Sequence, residues 1–118
     1  MLSPGPDTRV DLAVGATDLR KSIDGLAGLV SAALALDPLS AHWFVFCNRG
    51  RDKLKILYWD HNGFWLYYRR LERGRFAWPV TAPSEALCIT PRQLAWLLDG
   101  LSIEQSRAHR AVPSRIAV

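Results

Sequence analysis

The chain has 118 residues, 49% of them hydrophobic and 22% charged, and a formal net charge of +4. This length and composition fit one globular domain with a substantial apolar core. The sequence holds neither a run of about 18 uncharged apolar residues nor a basic-then-apolar leader, so we expect no membrane-spanning segment and no secretion.

We expect a single domain over residues 1–118, with an ordered core at about 8–103 between a flexible N-terminal lead-in and a C-terminal tail. Cys47 and Cys88 lie in separate apolar runs without CxxC spacing. This pattern is typical of reduced, buried thiols in the cytoplasm, with a disulfide or a zinc site as the alternatives. We therefore expect no metal and no other cofactor.

The first elements in chain order are a short strand and an amphipathic helix. Residues 9–14 alternate polar and apolar side chains, as strands do. Apolar residues then recur at three- and four-residue spacing, which predicts a helix over about residues 18–35. Either Thr17 or Asp18 can cap this helix.

Three strand candidates follow, at residues 43–47, 54–59 and 64–71. Between the last two, Asn62-Gly63 is a strong hairpin signal, because both residue types tolerate the positive φ of a tight turn. These three segments predict an antiparallel meander.

A fourth strand candidate spans residues 86–89, and Thr90-Pro91 then starts a second helix that ends at Gly100. The predicted fold is α+β, an antiparallel β-meander of three to five strands with two packed helices. We expect both helices to lie against one face of the sheet.

Aromatic and basic residues are concentrated in the meander. Eleven of the twelve aromatic residues lie within residues 43–78. Residues 49–75 hold eight basic and three acidic residues, whereas the rest of the chain holds seven and eight. Cations bind phosphates and aromatic rings stack on bases, so this segment predicts a nucleic-acid-binding face.

The hairpin predicts a particular charge arrangement. With Asn62-Gly63 as a two-residue loop, Lys55 lies directly opposite Arg70. Opposed like charges destabilise a sheet, which indicates a counter-charge from Asp52, Glu72 or an external phosphate. The alternative is two solvated side chains that lean apart.

Side chains alternate between the two faces of this hairpin, so at most half of its rings can be exposed. Tyr67 and Arg69 share a face that we expect to be exposed. The predicted DNA-binding residues are Arg49, Arg51, Lys53, Lys55, Tyr67, Arg69, Arg70, Arg73 and Arg75.

No catalytic arrangement is evident in the sequence. The carboxylates do not pair on a predicted strand as two-metal nucleases require, and the histidines stand apart from any nucleophile. We expect no catalytic residue and no enzymatic activity. A metal-dependent nuclease that uses Asp24 or Glu72 is the alternative.

Two segments resemble a known family: TDLRKSIDGLAGLV at residues 17–30 and DPLSAHWFVFCNRGRDKLKILYWDHNGFWLYYRRLERGRFAWP at residues 37–79. They are similar to the TnpB accessory proteins, encoded by the second open reading frame of bacterial insertion sequences of the IS66 group. The likeness spans roughly residues 7–103. The family's motif positions correspond to Arg20, Lys21, Asp24, Trp59, Gly63, Arg70, Glu72, Gly74, Phe76, Trp78 and Pro79.

The resemblance implies a small non-catalytic protein in the bacterial cytoplasm, encoded beside a separate, larger transposase. The partners that we expect are DNA, the element-encoded transposase or another accessory protein, and a second copy of the chain, but no membrane. Two hypotheses remain: DNA binding through the basic and aromatic hairpin face, or a protein–protein adaptor that docks the transposase without touching DNA.

Overall fold

The computed structural model of the chain describes residues 4–80 and 85–105. Most of the expected C-terminal tail, residues 106–118, and the start of the lead-in, residues 1–3, lie outside the described residues. The fold is α+β, as predicted. Its elements are β1 (Val10–Ala13), α1 (Ile23–Ala32), β2 (Trp43–Cys47), β3 (Lys53–Asp60), β4 (Gly63–Arg70), β5 (Ala86–Ile89) and α2 (Pro91–Leu98).

The five strands form one sheet in the order β4-β3-β2-β1-β5. The meander β2-β3-β4 is antiparallel, as expected, and β5 is antiparallel to β1. The pair β1 and β2 is parallel, so the sheet is mixed. The parallel pair arises because the connection through α1 crosses from one strand to the next, as parallel neighbours require.

The two helices cover opposite faces of the sheet, so the expectation that both lie on one face is wrong. Leu26 and Val30 of α1 pack against Phe44, Phe46 and Leu57. The α2 face instead has Leu94 and Leu97, which pack in a core with Val10, Leu12, Val45, Leu54 and Ile56. Every residue of β1 and β2 is buried, because these central strands have covered faces on both sides.

The first helix begins later than its apolar spacing predicts. Its N-cap is Ser22, whose side chain makes no capping hydrogen bond. Residues 18–21 form a separate turn, in which Lys21 N donates to Asp18 O at 3.2 Å. Asp18 Oδ1 also accepts a hydrogen bond from Arg20 N at 3.0 Å. The predicted cap residue Asp18 therefore stabilises this turn and not the helix.

The hairpin register differs from the expected one. Asp60 pairs with Gly63, so the two turn residues are His61 and Asn62, and His61 carries the positive φ of 56°. The strands are offset by two residues from the predicted pairing. Lys55 therefore lies opposite Tyr68 rather than Arg70.

The second helix has the predicted ends. Thr90 and Gln93 form a reciprocal capping box, with Thr90 Oγ1 accepting from Gln93 N at 3.1 Å and Gln93 Oε1 accepting from Thr90 N at 2.8 Å. At the other end, Gly100 has φ 82° and donates to Leu97 O at 3.0 Å. This left-handed residue ends the helix as the sequence predicts.

Candidate nucleic-acid interface

The turn between β2 and β3 is held by the side chain of Asn48. Its Oδ1 atom accepts from the backbone N–H groups of Asp52 at 3.1 Å and Lys53 at 3.0 Å. Its Nδ2 atom donates to Asp52 Oδ1 at 2.8 Å. Within this ordered turn Arg49 and Arg51 are exposed to solvent.

The chain that follows β4 is fastened beside this turn by two backbone hydrogen bonds. Leu71 N donates to Asp52 O, and Phe76 N donates to Arg51 O, both at 2.7 Å. The Phe76 side chain is 1% exposed and packs in the core on the α2 face. Residues 72–75 therefore form a loop anchored at both ends against the β2–β3 turn.

This loop adds two more arginines to the same end of the sheet. Gly74 has φ 78°, a conformation that glycine adopts readily, and its neighbours Arg73 and Arg75 are exposed. The pKa of Asp52 is lowered, chiefly by the hydrogen bond from Asn48 and to a smaller extent by the charge of Arg75. The loop that holds Arg73 and Arg75 thus lies against the β2–β3 turn.

Lys53 and Arg70 are direct cross-strand partners. Opposed cations are therefore present, but the predicted pair of Lys55 and Arg70 is wrong, because the register places Lys53 opposite Arg70. Arg70 donates to Glu72 Oε1 from Nε at 3.0 Å and from Nη2 at 2.8 Å, and this bond raises its pKa. Glu72 is one of the counter-charges that the sequence suggests.

We refer to these cations as the basic end of the sheet: Arg49, Arg51, Lys53, Arg70, Arg73 and Arg75. Within residues 4–80 and 85–105, only Arg70 among them has a carboxylate oxygen within 4.0 Å. The other members therefore form no ion pair with a carboxylate of the described residues.

A groove of about 970 Å³ adjoins the basic end on the α1 face of the sheet. Arg20, Arg49 and Lys53 line it, together with the polar side chains of Thr17 and Asn48. Tyr68, which is 55% exposed, forms the aromatic wall of the groove. The groove thus combines cations with one accessible ring.

Lys55 makes contacts within the chain that the sequence does not indicate. Its Nζ atom donates to the backbone oxygens of Leu19 at 2.7 Å and Lys21 at 3.0 Å. The same atom lies 5.8 Å from the centroid of the Tyr68 ring. Lys55 thus ties the segment before α1 to the sheet and shapes the groove.

Arg20 is a groove cation that the sequence identifies only as a motif position. It donates to Asp18 from Nε and Nη2, at 3.0 and 2.8 Å, while its side chain remains 91% exposed. This hydrogen bond lowers the pKa of Asp18 to about 2. Arg20 and Asp18 therefore stay oppositely charged at the groove margin.

Two of the predicted contacts lie away from the groove. Tyr67 is partly buried and stacks on Trp43 with ring centroids 5.9 Å apart, so its expected exposure is wrong. Arg69 is exposed as predicted, but it pairs with Leu54 on the α2 face. The hairpin rings that are most exposed are Tyr68 and Trp65, at 55% and 54%.

Contacts with other strands distinguish the exposed rings from the covered ones. The alternation of β4 correctly separates Trp65 and Tyr67 from Leu66 and Tyr68. It does not indicate which ring has a neighbour, because Trp43 lies on a different strand. The adjacent cations Arg20 and Lys21 are the one sequence feature that could have pointed to this side of the groove.

Several motif positions serve the fold rather than the surface. Trp78 is 4% exposed, and its Nε1 atom donates to Ala13 O at 3.1 Å and Gly15 O at 3.0 Å. Pro79 O accepts from Gly15 N at 3.0 Å. With the buried Phe76, these residues fasten the segment after β4 across the end of β1.

The remaining motif positions lie at both ends of the hairpin and near α1. Trp59 packs edge-on against Phe64 at 5.0 Å, and Gly63 begins β4. Asp24 lies in the first turn of α1, and Lys21 supplies the carbonyl that Lys55 binds. These positions explain why the motif spans separate elements.

Asp11 is a buried carboxylate that no pattern in the sequence indicates. It lies in β1 at 0% exposure, and its Oδ1 atom accepts from Arg9 Nε at 3.1 Å. Its Oδ2 atom lies 3.3 Å from His42 Nδ1, a contact whose geometry is not that of a hydrogen bond. Both atoms are buried without a hydrogen-bond partner in the described residues. They lie on the side of β2 away from the hairpin.

In the described parts of the chain, no helix is both long and apolar enough to cross a membrane. The same residues hold no group of three or more His, Cys, Asp or Glu side chains arranged to hold a metal ion.

The fold and the surface define a small α+β protein with a mixed five-stranded sheet and an arginine-rich end. The chain belongs to the TnpB_IS66 family, described as IS66 Orf2 like protein, whose model matches residues 8–108. Membership of this family confirms the resemblance seen in the sequence and supports an accessory role in transposition.

Two similar proteins come from Sinorhizobium fredii (strain NBRC 101917 / NGR234). Uncharacterized protein y4hO is 43% identical over 101 residues, which cover 86% of this chain and 87% of that protein. Uncharacterized protein y4jC is 35% identical over 101 residues, which cover 86% of each chain. No solved structure matches the chain.

Proposed function

We propose that this protein is a non-catalytic accessory factor for the transposition of a bacterial insertion sequence, and that it binds DNA through the basic end and the adjoining groove. One observation carries the proposal. The hydrogen bonds from Leu71 to Asp52 and from Phe76 to Arg51 bring together arginines from two separate segments.

The chemistry of the basic end suits a phosphate backbone. Arginine can hold a phosphate with two parallel N–H donors, and Arg49, Arg73 and Arg75 are all exposed. Lys53 and Arg70 oppose each other, and within the described residues only Glu72 forms an ion pair with either of them. A bound phosphate would relieve the repulsion between these two cations.

The groove gives the same surface a place for a base. Tyr68 is the exposed ring in a groove whose other margins carry Arg20, Arg49 and Lys53. Stacking on an aromatic ring is tolerant of base identity, whereas cations bind the strand that carries the base. Binding through this surface is therefore expected to depend on salt more than on sequence.

The deciding experiment replaces Arg49, Arg73 and Arg75 together by alanine. None of these side chains has a carboxylate oxygen within 4.0 Å in the described residues, so the fold is expected to survive. Binding of labelled duplex DNA is measured across a salt series. The slope of log affinity against log salt should fall in magnitude by about 3, one for each phosphate that an arginine no longer binds.

The matched control replaces the same three residues by lysine, which keeps the charge but removes the planar fork. We expect this variant to keep most of the salt slope. An alanine variant that is folded by circular dichroism and binds DNA with unchanged affinity and slope would contradict the proposal. Magnesium-dependent DNA cleavage that disappears in Asp24→Ala or Glu72→Ala would contradict its non-catalytic part.

A protein–protein adaptor that docks the separate transposase without DNA contact is the second candidate. Trp65 and Tyr68 favour it, because exposed aromatic side chains are frequent anchors of interfaces. Co-purification with transposase that survives high salt and nuclease treatment, but is abolished in the double variant W65A/Y68A, would support it. The same complex formed equally well by that variant would count against it.

A further inference from the structure

The strand β4 lies at one edge of the sheet and is long for an edge strand. In the part of the chain that the structure describes, it pairs with β3 alone. It has eight residues and no proline, whereas β5 at the other edge has four. Because each side of a strand uses alternate backbone groups, the outer side of β4 carries N–H and C=O groups that lack a strand partner there.

Two exposed rings show from which direction a partner would approach. Trp65 lies on the α2 face and Tyr68 on the α1 face, and each is more than half exposed. A partner that packed on one face of the sheet would cover only one of them. A strand added in the plane of the sheet would contact both.

We propose that β4 pairs antiparallel with the β4 strand of a second copy of this chain, so that two sheets join into one across a twofold axis. Such a pairing is self-complementary, because a twofold axis perpendicular to the sheet keeps each face with the same face of the other copy. The rings on each face then meet rings on the same face of the other copy. Both Trp65 and Tyr68 gain cross-strand neighbours.

The charge distribution of β4 selects the antiparallel direction and a second copy as the occupant. The cations Arg69 and Arg70 end the strand, and the exposed Asp60 lies at the hairpin that begins it. Parallel pairing in register would oppose the arginines of the two copies. Antiparallel pairing instead places Arg69 near the Asp60 of the other copy, on the shared α2 face, where opposite charges attract.

The register that best matches the side chains places Leu66 opposite Leu66 of the second copy. Trp65 then lies opposite Tyr67, and Phe64 lies opposite Tyr68. These are aromatic pairs on both faces, the kind of pair that stabilises antiparallel strands. The pairing covers the outer edges of Trp65 and Tyr68 and uses no residue of α2, and the side of Tyr68 that lines the groove stays accessible.

The first test measures the mass of the full chain in solution without DNA, so that its outcome is separate from that of DNA binding. We expect light scattering to give a mass twice the 13.2 kDa of one chain. Trp65→Lys and Tyr68→Lys should each shift the protein toward the monomer, because edge lysines oppose strand addition. Leu39→Lys, at a residue that is 52% exposed and lies outside β4, is the matched control and should stay dimeric.

The second test reports the direction of pairing through single cysteines introduced in a Cys88→Ser background. Leu66→Cys lies on the proposed axis and should form a disulfide between copies under oxidising conditions. Arg70→Cys lies far from the axis and should not.

Three results would overturn the proposal: a monomer at every concentration, a dimer that both lysine variants leave intact, or Arg70→Cys linking copies as readily as Leu66→Cys. If the protein is a monomer at every concentration, a strand from another protein is the remaining candidate to pair with β4. The third would indicate parallel pairing.

Discussion

Lys53 and Arg70 face each other directly across β3 and β4, and Arg70 alone of the two has a carboxylate within ion-pair distance in the described residues. The carboxylate is that of Glu72, two residues farther along the chain. This local pair reduces the positive field at the basic end. In the proposed complex with DNA, Glu72 would therefore compete with a phosphate for Arg70.

The first prediction concerns a substitution that removes the carboxylate of Glu72. Glu72→Gln should release the Arg70 guanidinium, so that DNA binding at low salt becomes tighter and the salt slope grows in magnitude by about 1. Fluorescence anisotropy across a salt series measures both quantities. The control is Glu85→Gln, which changes the net charge by the same amount at an exposed position outside the basic end. An equal gain in affinity for this control would show that net charge, and not the release of Arg70, causes the effect.

The second prediction concerns the bridge from Trp78 to the end of β1. Trp78→Phe keeps a buried ring but removes the N–H group that donates to Ala13 O and Gly15 O. We expect the free energy of unfolding to fall by about 1–3 kcal/mol, because buried carbonyls lose their donor. Urea denaturation measures the change. The control is Trp65→Phe at an exposed position, which should lower the free energy of unfolding by less than about 0.5 kcal/mol. An equal loss in both variants would show that the hydrogen bonds of Trp78 do not stabilise the fold.

The third prediction uses the two cysteines. Burial raises the pKa of Cys47 from 9.0 to about 12, whereas Cys88 is exposed. A thiol reagent near neutral pH should therefore modify Cys88 alone in the native chain and both thiols in urea. Equal reactivity of the two thiols in the native state would show that Cys47 is not enclosed in the core.

The same pKa shift has a definite sign for stability. Between pH 9 and about 12 the unfolded chain releases the Cys47 proton while the folded chain retains it. The folded state then binds more protons, so stability should fall as the pH rises through this interval. Cys47→Ala should lessen the decline, and Cys88→Ser should leave it in place.

The fourth prediction tests the hairpin register. His61 has φ 56°, which costs a residue with a side chain about 1 kcal/mol relative to glycine. His61→Gly should therefore raise the thermal midpoint or leave it unchanged. Asn62→Gly, at the neighbouring turn position without a positive φ, should lower it. The opposite order would favour the turn at Asn62-Gly63.

Much of the secondary structure was predictable, because its signals are local. Residues 43–47 and 86–89 are strands with the predicted bounds, and the capping box at Thr90 and the left-handed Gly100 set the ends of α2. The start of α1 was not predictable from apolar spacing. Residues 18–21 are held in a turn by hydrogen bonds to Asp18 and by Lys55, which lies in another strand.

The amino-acid order by itself determined the α+β class, the meander, the caps of α2 and the concentration of arginines and rings between residues 43 and 78. Folding in three dimensions decided what those residues face. It placed the helices on opposite sides of the sheet, buried Asp11 and stacked Tyr67 on Trp43. It also brought the loop that holds Arg73 and Arg75 against the turn that holds Arg49. The physical reason is that burial and electrostatic partners depend on contacts between distant segments, whereas turns, caps and strand preference depend on neighbours in the chain.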